Sequence, residues 1–61
     1  MNQRTTRLTD AAARAAATMR AASQALSLME GTSSEEELCG LLARALSREA
    51  DRLERAVVAK L

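Results

Sequence analysis

Apolar residues recur along this chain in two stripes with the alternating four-and-three spacing of a heptad. Leu8, Ala12, Ala15, Met19, Ala22, Leu26 and Met29 form the first. Cys39, Ala43, Leu46, Ala50, Leu53 and Val57 form the second. Such spacing keeps one face of a helix apolar over several turns, so each stripe predicts an amphipathic helix. Between them, Glu30-Gly31-Thr32-Ser33-Ser34-Glu35-Glu36-Glu37 reads as a helix stop followed by a helix start.

The first helix is expected over about residues 5–30, with residues 1–4 frayed. Its start falls between Asn2 and Thr9, and Thr9 followed by Asp10 makes a reasonable cap. Gly31 suits the residue just past its end, where positive φ is common. Residues 31–33 form the turn, and the second helix runs over about 34–60. Thr32, Ser33 and Ser34 each have a Glu three residues on, so three overlapping capping boxes are open to it. Asp51 and Arg55 are spaced for an ion pair along the second helix, with Arg48 three residues before Asp51.

The fold expected is all-α: a single domain over 1–61, a two-helix antiparallel hairpin that dimerises into a four-helix bundle. A lone hairpin leaves much of each seam wet, and the 13 stripe residues are the expected oligomer core. Ala11, Ala16 and Ala25 flank the first stripe and widen its small-residue surface. Composition sharpens this picture. There are 14 Ala, no Pro and no aromatic residue, which favours helix and leaves the core without large anchors. A chain of 61 residues buries little surface by itself. One Cys and no His leave oligomerisation as the expected source of extra stability.

An enzyme is not expected. The chain has no His, no Tyr and no glycine-rich phosphate loop, and no cofactor or metal ligand set is apparent. Glu35, Glu36 and Glu37 complement the positive end of a helix. Cys39 lies on the stripe, where a thiol behaves as a small hydrophobe. Met19 and Met29 are expected to fill the core. Gly40 inside a helix costs about 1 kcal/mol relative to Ala; close backbone approach and a tolerated surface position both account for it. Leu28, Leu38 and Leu41 fall outside the stripes, near the turn. They either widen the core there or form an apolar patch that docks another protein. Leu42 is expected inside the bundle.

Charge separates the function classes. Net charge is +1, too little to imply nucleic-acid binding. The leading expectation is a homo-oligomeric protein–protein interaction or regulatory module, cytoplasmic and of bacterial or phage type, whose partners are itself and a further protein. The second concerns RNA. Ala50-Asp51-Arg52-Leu53-Glu54-Arg55 and Ala59-Lys60-Leu61, with the length and hairpin layout, resemble the Rop family of plasmid copy-number regulators. That resemblance implies a dimeric hairpin binding paired RNA loops through its first helix, here Arg4, Arg7, Arg14 and Arg20. The chain departs from the family in having no aromatic residue, so base stacking is not available to it. The third expectation is an amphipathic first helix lying on a membrane surface, which its Ala-rich face supports poorly. Arg14 and Arg20 interrupt the apolar stretch and argue against a secretory signal. Residues 1–29 also suit a mitochondrial presequence, but they form half of a matched hairpin.

Overall fold

The computed structural model describes residues 3–60. Two helices account for nearly all of them: α1, Gln3–Ser27, and α2, Ser33–Lys60. They pack against each other as an antiparallel hairpin. The register shows in three places along its length. Arg20 reaches Asp51, and Ser23 reaches Ala43. At the open end Leu8, Thr9 and Ala12 line one groove with Ala56, Val57 and Lys60.

Gln3 and Arg4 are already helical, so the expected fraying does not extend to them; Met1 and Asn2 lie outside the described residues. Thr9 is not a cap. It sits inside α1, and its hydroxyl donates back to the Thr6 carbonyl at 3.0 Å.

The turn differs from expectation at both ends. Helix α1 stops at Ser27 rather than near Glu30. The Leu28 amide is shared between the Gln24 and Ala25 carbonyls, both at 3.2 Å. The Met29 amide bonds Leu26 at 3.3 Å, tightening the end of the helix.

Gly31 therefore precedes the start of α2 instead of closing α1, and no glycine takes positive φ among the described residues. Of the three capping boxes the first is used. The Glu35 amide donates to Thr32 Oγ1 at 3.2 Å, and the Thr32 amide donates to Glu35 Oε1 at 2.9 Å. The Thr32 amide first, and the Thr32 side chain second, hold the Glu35 carboxyl below its usual range. A Cβ on Gly31 would come within 2.9 Å of that carboxylate, so glycine here leaves room for the cap.

The shared interface is thin. Among the described residues Ala16, Ala43 and Ala50 are the buried ones, and no large side chain is fully buried. Met19, Leu26, Leu46, Leu53 and Val57 are half-buried. Small residues at the centre let the helices approach closely and push the larger ones to the edges of the contact.

Candidate functional site

Eleven of the 13 stripe residues turn inward to some degree. Leu8 and Met29 do not: they are 65% and 56% exposed. Leu8 lies at the open end of the hairpin. Met29 lies beyond the early end of α1, which removes it from the helical register. Conversely Ala16, beside the stripe, is completely buried, while Ala11 and Ala25 face outward. The contact is thus rotated from the centre of the stripe towards heptad positions a and e.

That rotation gives the hairpin two unlike flanks. With Leu8 and Leu46 at d, Arg20, Arg44 and Asp51 occupy b positions, and Ser23, Ser47 and Glu54 occupy e positions. These groups meet on one flank. Arg20 Nη2 donates to Asp51 at 2.6 Å and also to Glu54. The two carboxylates, Glu54 first, hold the guanidinium still more firmly in its charged form. Asp51 is thereby engaged across the hairpin by Arg20 rather than along α2 by Arg55, while Arg52 pairs with Glu49 at 3.0 Å. Further towards the turn, Ser23 Oγ donates to the Ala43 carbonyl at 2.7 Å. Ser27 Oγ donates to the Ser23 carbonyl at 3.0 Å. An open groove of about 530 Å³ runs there, lined by Ser23, Ser27, Glu36, Glu37, Gly40, Ala43, Arg44 and Ser47. Nothing lies within 4 Å of a Cβ placed on Gly40, so the glycine does not serve close helix approach; it opens onto this groove.

Positions d and g lie about 100° and 160° around each helix from position e. They form the other flank. On α2 it carries Cys39, Leu42, Leu46 and Leu53. Cys39 is a free, half-buried thiol, and Leu42 is 45% exposed. On α1 it carries Leu8, Ala15 and Ala22, with Ala11 and Ala25 beside them.

The three turn-end leucines stand clear of the hairpin contact: Leu38 and Leu41 are more than half exposed, and Leu28 is 81% exposed. They do not widen the core within one chain. Leu38 and Leu41 are three residues apart on α2, so they share a face.

The four arginines considered for RNA stand in two different settings. Arg7 and Arg14 are exposed and one heptad apart, and Arg4 is exposed. Arg20 projects on the polar flank and is engaged by two carboxylates.

Sequence reading missed the Arg20–Asp51–Glu54 cluster and the serine groove. Their signal was present in the b and e positions, where opposite charges fall on the two helices. It needs the inter-helix register before it can be read.

No helix among the described residues is long and apolar enough to cross a membrane. No protein-family model matches the chain, and no curated protein or solved structure was found to be significantly similar to it.

Proposed function

We propose that this chain is a non-catalytic, self-associating helical module that works by protein–protein contact. The observation that carries this reading is the distribution of apolar surface. Among the described residues the buried hydrophobic ones are three alanines, while Leu8, Leu28, Met29, Leu38, Leu41, Leu42 and Val58 remain exposed. Exposed leucines scattered singly need no explanation, but several sharing one helix face mark an interaction surface.

Surface area points the same way. The chain exposes 4920 Å², whereas a folded monomer of its 6.5 kDa exposes roughly 3,800 Å². The elongated form, 50 × 14 × 11 Å, is the geometric source of the excess. Two copies together carry about 2,200 Å² of surplus surface, within the range buried by obligate homodimers.

In this reading the turn-end leucines Leu28, Leu38 and Leu41 serve a second, different protein once the bundle has formed. The module acts as an adaptor or regulator. Sedimentation equilibrium over a wide concentration range tests the self-association. A single monomeric species throughout defeats it. If that monomer instead binds RNA with a steep salt dependence that Arg7 and Arg14 supply, the RNA reading replaces it. For the second surface, Leu41→Glu is expected to abolish capture of a partner while leaving the oligomer intact. Loss of the oligomer with that substitution assigns Leu41 to the bundle.

A further inference from the structure

We propose that a second copy of this chain covers the d/g flank, and that the flank carrying Arg20 remains open to solvent. This rests on the self-association just proposed and assigns it a face. Three observations select that face.

The first is charge. On α1 the d and g positions from Leu8 to Ala25 carry no charge, and on α2 those from Cys39 to Ala56 carry only Glu49. Glu49 is already paired with Arg52 at 3.0 Å. A partner on this flank therefore covers one charged position, Glu49, whereas the b and e positions carry Arg20, Glu37, Arg44, Asp51 and Glu54.

The second is the state of the opposite flank. Arg20, Asp51 and Glu54 satisfy one another, and Ser23 is bonded to the Ala43 carbonyl. Burying that cluster would desolvate ions which now lie partly in water, with no new partner to offset the loss.

The third is shape. Leu42, Leu46 and Leu53 make a ridge along α2, and Ala11, Ala15 and Ala22 make a low strip along α1. A twofold axis lays the ridge of each copy against the strip of the other, so the same patch serves both copies. The half-buried leucines then lose their remaining contact with water, which is the driving force for association.

The test compares one charge placed on each flank. Leu42→Lys introduces a cation on the d/g flank at a side chain that is 45% exposed within the hairpin. Val58→Lys does the same on the b/e side, at a side chain 68% exposed. Sedimentation equilibrium on the full chain is expected to show a two-chain species for the wild type and for Val58→Lys. Leu42→Lys is expected to raise the dissociation constant by at least about 100-fold. A wild type that never associates defeats the underlying self-association reading. A wild-type dimer equally stable with Leu42→Lys overturns the face alone, and so does a dimer lost only with Val58→Lys. An assembly of other than two chains overturns the twofold pairing.

If Leu42→Lys fails to fold, the native thiol decides. Cys39 lies on the proposed face, so its reaction rate with a small aromatic disulfide reagent should fall at least about tenfold as the protein is concentrated through its dissociation constant. A rate independent of concentration, while the dimer forms, overturns the face.

Discussion

The two flanks of this hairpin solve different problems with the same heptad. On the b/e flank, Arg20, Asp51, Glu54, Ser23 and the Ala43 carbonyl link α1 to α2 through directional contacts. These have a preferred register, because each donor has its acceptor at one place along the other helix. On the d/g flank, Leu42, Leu46, Leu53 and the facing alanines offer apolar area without a directional partner inside the chain. The first flank can set alignment; the second holds the unused burial. Exposed ion pairs contribute little to stability, while apolar area contributes about 25 cal/mol per Å² removed from water. The hairpin thus keeps its directional contacts on one flank and partly exposed leucines without a directional partner on the other.

The largest expected effect lies on the apolar flank. Leu46→Ala removes a half-buried side chain that association would bury fully. At concentrations where the wild type is associated, the cost should be about 2 kcal/mol or more. In dilute solution it should be smaller, because the leucine is already partly wet in the monomer. Urea unfolding followed by circular dichroism at two concentrations separates these cases. An equal cost at both concentrations would place Leu46 wholly within the single-chain core and remove the contrast between flanks.

Two substitutions probe the first turns of α2, one at its cap and one where the groove of the b/e flank opens. Thr32→Ala breaks the reciprocal cap with Glu35 and should cost about 1 kcal/mol. Gly40→Ala should stabilise the helix by a similar amount, about 1 kcal/mol, since open space surrounds the position. Loss of stability with Gly40→Ala would mean that the groove at Ser23, Ser27 and Ser47 closes around the glycine. Melting curves for the two variants, measured side by side, should move in opposite directions.

Much of the fold was legible because heptad spacing, a turn with Gly and a run of Ser/Thr–Glu pairs all agree on two helices. The extent of the turn was not. Periodicity alone carries α1 to Met29, whereas the helix ends at Ser27. Nor could the sequence distinguish among Thr32, Ser33 and Ser34, which have equivalent partners three residues on. The candidate surface was legible in part. Leu28, Leu38 and Leu41 stand outside the stripes and are exposed. The rotation of the contact onto Ala16, Ala43 and Ala50 was hidden, because a stripe marks a face to within one heptad position and both its neighbours here are alanines. Asp51 shows the same limit from the charged side. Its spacing to Arg55 suits a local pair, but Arg20 of the opposite helix takes it instead.

The cap adds a pH dependence of known sign. The Glu35 carboxyl is held below its usual range by its bonds to Thr32, so the folded chain favours the ionised form. A group depressed in this way contributes its stabilisation above its unfolded pKa, about 4.3, and loses it as pH falls through the lower folded value. Helical stability should therefore decline as the solution is acidified below about pH 4.5. Part of that decline should disappear in Glu35→Gln, which keeps the capping oxygen and cannot titrate. An unchanged acid profile in the variant would remove Glu35 from the cap.

The smallest effect is expected on the polar flank. Arg20→Met keeps much of the apolar stem and removes both ion pairs with Asp51 and Glu54. Because all three groups keep partial contact with water, the loss should be less than that of Thr32→Ala, and it should shrink further in concentrated salt. Its consequence for the comparison is structural. If this flank sets alignment, Arg20→Met should leave the helix content and the dimer mass unchanged while loosening the hairpin register. The amide hydrogens of Arg20 to Ser23 should then exchange faster. Unchanged exchange would assign the register to the alanine contact at Ala16, Ala43 and Ala50 and leave the ion pairs as a solvated decoration of the flank. A collapse of the dimer would show instead that the two flanks are coupled through α2. Asp51 and Glu54 then hold the face bearing Leu53 at the angle its partner requires.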